Sequence, residues 1–121
     1  MESILIVDDD INLCTLLKEE LAEVGYDVDY VNNGVAVFDF LSRVKTDLVL
    51  LDLKMPGMDG FEVLKELQDR NINVKIIVLT AYADVKSAID SAKMGASDFI
   101  SKPYDFDELL ITIRKVLQRD T

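Results

Sequence analysis

The chain has no histidine, no tryptophan, a single cysteine and only two prolines. Without histidine there is no Ser–His or Cys–His nucleophile, no histidine-rich zinc site and no phosphohistidine carried by this chain itself. With Cys14 alone, no intramolecular disulfide can form and a cysteine-rich metal site is excluded. A lone cysteine inside a helical apolar pattern reads as a small core hydrophobe. Positive charge is also scarce: Lys and Arg number 13 against 23 Asp and Glu, a net charge of −10. Such a polyanion is repelled by nucleic acid and by anionic membrane, so neither is expected as a direct partner. A cationic partner or a divalent metal suits the charge better. The N-terminus Met1-Glu2-Ser3 has no basic region, and its apolar run spans only Ile4 to Val7. That fits neither a signal peptide nor a membrane span, so a soluble, cytoplasmic protein is expected.

What is present is 121 residues, half of them apolar, which suffices for one domain with a real core. Four short segments are almost wholly apolar: Ile4-Leu5-Ile6-Val7, Leu48-Val49-Leu50-Leu51, Ile76-Ile77-Val78-Leu79 and Phe99-Ile100. Apolar runs without alternation fit strands covered on both faces, as in a parallel sheet. A fifth candidate, Tyr26 to Val31, is interrupted by Asp27 and Asp29 and suits a more exposed edge strand. Helical spacing separates these runs. Leu13, Leu16, Leu17, Leu21 and Val24 form one pattern, stopped by Gly25. Val37, Leu41 and Val44 form the next; Phe61, Leu64 and Leu67 follow Gly60. Val85, Ala88, Ile89 and Ala92 end at Gly95, with Val85 and Ile89 read as core, and Leu109, Leu110, Ile113, Val116 and Leu117 make the last helix. Strand and helix alternate five times, which predicts an α/β sandwich with right-handed crossovers and helices on both sheet faces. No linker, repeat or low-complexity stretch interrupts residues 1–121, so one compact domain is expected.

The polar residues that follow the apolar runs carry the chemistry. The first run ends in Asp8-Asp9-Asp10, the next in Asp52, the third in Thr80, and the last in Ser101-Lys102-Pro103. In an open parallel sheet these positions share one rim, the carboxyl ends of the strands, where such folds bind ligands. Each has an ordinary reading when taken alone. Asp8 to Asp10 contain a helix N-cap, a role that suits Asp10, but a cap needs one acid rather than three. Asp52 is, by itself, a loop acid. The functional reading rests on four strand ends converging.

Three crowded carboxylates repel one another unless a cation neutralises them. An all-oxygen donor set without His or Cys selects a hard ion, Mg2+ first and Mn2+ next. Lys102 suits a second task, pairing with an anion delivered to the site, and Thr80 can donate to an oxygen of that anion. A carboxylate nucleophile, a divalent metal, an ammonium and a hydroxyl together make a phosphoryl-transfer site.

The segments ILIVDDD, LVLLDLKMPGMDGFEVL, IIVLTAYAD and GASDFISKPYDFDELL, at these separations, make the chain resemble the receiver (CheY-like) domains of bacterial response regulators from end to end. The resemblance implies a flavodoxin-like (βα)5 doubly wound parallel sheet with strand order 2-1-3-4-5. It implies that Asp52 is the phosphoacceptor and that Asp8, Asp9, Asp52 and the backbone carbonyl of Lys54 hold Mg2+. It further implies that Thr80 and Lys102 contact the phosphoryl group and that the Lys102–Pro103 bond is cis. The switch aromatic is Phe99, where many relatives carry Tyr; it can fill the pocket but offers no hydroxyl. Lys54 and Tyr82 fall at positions that tune phosphoryl lifetime in relatives.

The implied partner is a sensor histidine kinase or phosphotransfer protein, docking largely on Ile11 to Val24. Phosphorylation would switch the surface from about Ala83 to Asp105 to control a homodimer, a target protein or an output domain, with Lys86, Lys93 and Tyr104 as contacts. On this reading the chain is a signalling switch, not an enzyme acting on other substrates. Whether it stands alone or is the N-terminal part of a longer regulator stays open. A haloacid-dehalogenase-type phosphatase would need a second Asp where Lys54 stands. A flavodoxin-like electron carrier would need a Ser/Thr/Gly-rich phosphate loop after the first strand. A phosphorylation-independent interaction module is disfavoured by the intact set of site residues.

Overall fold

A computed structural model of the protein describes residues 1–119; Asp120 and Thr121, the last two residues of the expected domain, lie outside them. Ten elements alternate along the chain: β1 (Ser3–Val7), α1 (Ile11–Glu23), β2 (Asp27–Val31), α2 (Val35–Arg43), β3 (Leu48–Leu51), α3 (Gly60–Asp69), β4 (Lys75–Thr80), α4 (Val85–Lys93), β5 (Asp98–Ser101) and α5 (Phe106–Leu117). All strand pairs are parallel and the order is β2-β1-β3-β4-β5, as the resemblance implied. The order reverses at β1, so the chain leaves β1 and β3 toward opposite faces and opens a crevice at their carboxyl ends.

The sheet is apolar on both faces, yet each strand still sorts its side chains with period two. Ile4, Ile6, Leu48, Leu50, Ile77 and Leu79 face Leu17 and Leu21 of α1 and Leu109 and Ile113 of α5. Leu5, Val7, Val49, Leu51, Ile76 and Val78 face Val37 of α2 and Val63, Leu64 and Leu67 of α3. That two-sided burial is why these strands read as unbroken apolar runs. The edge strand β2 buries only Val28 fully.

Several caps explain where the helices begin. Asp10 accepts from Leu13 N at the start of α1, the capping role its sequence suggested. Asp59 and Glu62 form a reciprocal capping box at α3, and Asp84 and Asp105 cap α4 and α5. Gly25 and Gly95, both at positive φ, follow the ends of α1 and α4.

The helical faces depart from expectation in three places. In α1 the buried stripe is Cys14, Leu17 and Leu21, while Leu16 is 56% exposed and Val24 is also exposed. A helix lying on a sheet buries one narrow stripe, and Leu16 falls outside it. Val44 is not part of α2 but its C-cap, in extended backbone. Val85 and Ile89 are not core residues: they are 76% and 48% exposed, and Ser91 is the one buried residue of α4. The helical spacing was correct, but α4 turns Val85, Ile89 and Ala92 to solvent and leaves Ala88 half-buried.

Candidate functional site

The parallel register brings β1 and β3 to an end side by side, since Val7 pairs with Leu51. The next residue on each strand is an aspartate. Asp52 N donates to Val7 O at 3.0 Å and Asp8 N donates to Val31 O at 3.2 Å, so both aspartates leave the sheet from its last hydrogen bonds. Both are buried, whereas Asp9 is exposed. One carboxylate oxygen from each of Asp8, Asp9 and Asp52 lies within 4.8 Å of the others.

Lys102 enters from the far side, after β5. Its backbone N donates to Thr80 O at 2.9 Å, and its Nζ donates to Asp8 Oδ2 at 2.6 Å and to Asp52 Oδ2 at 3.5 Å. The Lys102–Pro103 peptide is cis. Thr80 is fully buried at the end of β4, with its Oγ1 accepting from Tyr82 N at 3.2 Å. Asp52 Oδ1 accepts from Lys54 N at 3.3 Å. Asp8 Oδ1 accepts from Asp10 N at 2.9 Å, and its carbonyl accepts from Asn32 Nδ2 at 2.9 Å and from the Cys14 thiol at 3.5 Å.

The loop after β3 is held against the site by Gly60. Its N–H donates to Leu53 O at 3.0 Å, and a Cβ there would lie 2.6 Å from Leu53 Cα and run into the Asp52 carbonyl. Only glycine allows backbone to approach this closely. At the mouth, the exposed Lys54 ammonium stands 4.8 Å over the Tyr82 ring, a cation–π contact.

Burial raises the Asp8 pKa above its ordinary value, although hydrogen bonds from Lys102 and Asp10 pull it down. Burial alone would lower that of Lys102; the hydrogen bond to Asp8 and the charges of Asp8 and Asp52 outweigh it and hold the ammonium charged. Three carboxylates face one ammonium, so negative charge remains in excess. This all-oxygen donor set, two members buried, fits a hard divalent cation.

The expected residues Asp8, Asp9, Asp52 and Lys102 therefore meet, with Thr80 bonded to Lys102 through its backbone. Phe99 lies elsewhere: it pairs with Val78 and packs, half-buried, on the layer shared with α3. Lys102 differs from expectation in one respect, being already paired with Asp8 rather than held in reserve. Asn32 and the Cys14 contact escaped the sequence reading, because nothing in Val31-Asn32-Asn33-Gly34 separates a long-range donor from a turn residue. Beside the centre, a groove of about 630 Å³ runs between α1 and the β5–α5 connection, lined by Leu13, Leu16, Ala81, Pro103 and Phe106 among others. Tyr104 Oη spans it, donating to Glu20 at 2.7 Å.

Fold and site together define a doubly wound α/β protein with a carboxylate-rich, cation-seeking centre at its topological switch point. The chain belongs to the family of response regulator receiver domains, whose family model matches residues 4–114. It is 42% identical over 114 residues to the transcriptional regulatory protein ZraR of Klebsiella oxytoca, covering 94% of this chain but only 26% of that regulator. It is 39% identical over 116 residues to sporulation initiation phosphotransferase F of Bacillus subtilis (strain 168), covering 96% of this chain and 94% of the relative. Among solved structures, the response regulator TrrA of Thermotoga maritima in complex with Mg2+–BeF superposes with a TM-score of 0.85 at 40% identity, covering 96% of this chain and 99% of that one. The chain is a phosphoacceptor receiver domain of two-component signalling, and such domains work with histidine kinases or phosphotransfer proteins. Among the described residues no helix is long and apolar enough to cross a membrane.

Proposed function

We propose that Asp52 is the residue phosphorylated, receiving the group from a phosphohistidine on a sensor histidine kinase or phosphotransfer protein. The observation that carries this is the position of Asp52: buried at the switch point, one oxygen facing Lys102 and the other held by the Lys54 amide. In the transfer, a carboxylate oxygen of Asp52 forms the new bond to phosphorus in line with the breaking P–N bond. The bonding pair leaves with the imidazole. Lys102 exchanges its contact with Asp8 for one to a phosphoryl oxygen, and the Thr80 hydroxyl turns to donate to another.

Asp8, Asp9 and Asp52, with the carbonyl of Lys54, would hold Mg2+, and Mn2+ is the alternative by the same donor chemistry. When bound, the ion would supply positive charge against the carboxylates and the transferring group. The Mg2+–BeF complex of TrrA supports that choice of metal.

Movement of Thr80 and Lys102 would be followed by Phe99, biasing the surface of α4, β5 and α5 between two states. The exposed Val85 and Ile89 belong to that surface and make a better apolar patch for a homodimer or target protein than their expected core role allowed. The groove beside Leu13 and Leu16 is the face for the phosphohistidine partner, carried mainly by α1. Residues 1–121 would act as one receiver domain in the cytoplasm, catalysing only its own phosphorylation and dephosphorylation. Both a stand-alone receiver and the receiver of a longer regulator suit this role: the matched region spans 94% of phosphotransferase F but 26% of ZraR.

The test is intact-mass analysis after incubation with acetyl phosphate, with and without Mg2+, for wild type and Asp52→Ala. One added phosphoryl group that requires Mg2+ and is absent in the variant is expected. A folded wild type that stays unmodified would overturn the proposal in favour of a phosphorylation-independent binding module.

A further inference from the structure

Every polar atom of Asp8 is engaged: N with Val31 O, Oδ1 with Asp10 N, Oδ2 with Lys102 Nζ, and the carbonyl with Asn32 Nδ2. The last of these stands apart. Asp8 lies just past the end of β1, and its carbonyl accepts no backbone N–H among the described residues. A buried carbonyl needs a donor, and here side chains from α1 and the β2–α2 connection supply it. Asn32 Nδ2 lies 2.9 Å from that oxygen and 3.7 Å from Cys14 Sγ, while the Cys14 thiol lies 3.5 Å from the same oxygen. Asn32 therefore reaches 24 residues back along the chain, where a turn asparagine would bond its own loop. Its neighbour Asn33 does bond locally, accepting from Ala36 N at 2.9 Å.

We propose that Asn32 is a positioning residue for the metal and phosphoryl centre, acting through the peptide unit that joins Asp8 to Asp9. That unit is planar, so it can turn only as a body about the axis between the two Cα atoms. Both carboxylates hang from those Cα atoms. Holding the oxygen of that plane restrains ψ of Asp8 and φ of Asp9, and so narrows the range of directions in which each Cα–Cβ bond leaves the backbone. Asp9 needs this more than Asp8, because it is exposed. Asn32 makes no hydrogen bond to either carboxylate among the described residues and carries no charge, so its effect is geometric. Removal of such an outer partner lowers metal affinity by about tenfold or more in well-built sites.

The inference rests on the reading of Asp8, Asp9 and Asp52 as the Mg2+ ligands. The experiment is calorimetric titration of Mg2+ into wild type, Asn32→Leu and Asn33→Ala, with the metal-free melting temperature of each measured alongside. Asn32→Leu keeps the side-chain size and removes the donor; Asn33→Ala disturbs the same loop from the other side. The expected result is a Kd raised about tenfold in Asn32→Leu, an unchanged Kd in Asn33→Ala, and metal-free melting temperatures that do not track those Kd values. An Asn32→Leu Kd within about twofold of wild type, or equal weakening by Asn33→Ala, overturns the positioning role. A wild type that binds no Mg2+ overturns the ligand reading itself, which is a separate outcome. If Asn32→Leu does not fold, wild type decides by NMR. The Asn32 side-chain amide protons should be protected from exchange and should shift during Mg2+ titration with the Kd of the site; free exchange and no shift would refute the proposal.

Discussion

Replacing Lys102 by Met tests the electrostatics of the centre directly. The ammonium is 2.6 Å from Asp8 and 3.5 Å from Asp52, and the three side chains are only 17%, 3% and 8% exposed. Methionine keeps the stem and removes the charge, leaving two buried carboxylates without their cation. Breaking a buried pair from one side destabilises by about 3–5 kcal/mol. Asp8 can escape by taking a proton, which sets a ceiling. From an ordinary value of 3.8, at about 1.4 kcal/mol per pH unit, holding a proton at pH 7 costs about 4 kcal/mol. At pH 5 the same step costs about 1.6 kcal/mol. The sign follows from linkage: a carboxyl whose folded pKa is raised binds protons in the native state first, so stability is gained as pH falls toward 3.8. In Mg2+-free buffer, Lys102→Met should therefore lose roughly 3–4 kcal/mol at pH 7, about 12 °C or more in melting temperature, and much less at pH 5. Urea unfolding at the two pH values reads both numbers. A variant as stable as wild type at pH 7, or a deficit independent of pH, would refute this account of the charge balance.

Gly60→Ala forces a Cβ against the backbone of Asp52 and Leu53, so it should destabilise the fold by more than about 2 kcal/mol and slow phosphorylation from acetyl phosphate. Gly57→Ala meets no atom within 4 Å but must hold φ at +74°, so calorimetry should find a loss of only about 1 kcal/mol. Burial pushes the Cys14 thiol up to about 12, so maleimide should label it in denaturant and leave the native protein untouched at pH 8 or so. Hydrogen bonds from Ser87 hold the Asp84 carboxyl below its ordinary 3.8. Its support of α4 is present above that value and lost as pH falls through the lowered one; hydrogen exchange at Ser87 should rise over that window, ahead of exchange in α5.

What could be read from the sequence divides along physical lines. β1, β3 and β4 were legible because both their faces are covered, which leaves unbroken apolar runs. From the strands alone the site followed, since parallel order places Asp8, Asp52, Thr80 and Lys102 on one rim. Helix orientation was less legible. The same i, i+3, i+4 spacing describes a face turned to the sheet, as with Leu17 and Leu21, and one turned to solvent, as with Val85 and Ile89. Period alone carries no sign for which side is wet. Contacts made by side chains over long separations were least legible. The Lys102–Asp8 pair and the Asn32 bond to the Asp8 carbonyl span 94 and 24 residues and depend on packing rather than on any local pattern.

Of the three clustered aspartates, Asp52 is the one proposed to carry the phosphoryl group. Acyl phosphates are reduced by borohydride, which converts the modified aspartate to homoserine and leaves free carboxylates intact. Wild type phosphorylated with Mg2+ and acetyl phosphate, trapped in this way and sequenced by tandem mass spectrometry, should show homoserine at position 52 and aspartate at Asp8 and Asp9. Homoserine at position 8 or 9, or at none of the three in a protein that gained phosphoryl mass, would overturn Asp52 as the acceptor.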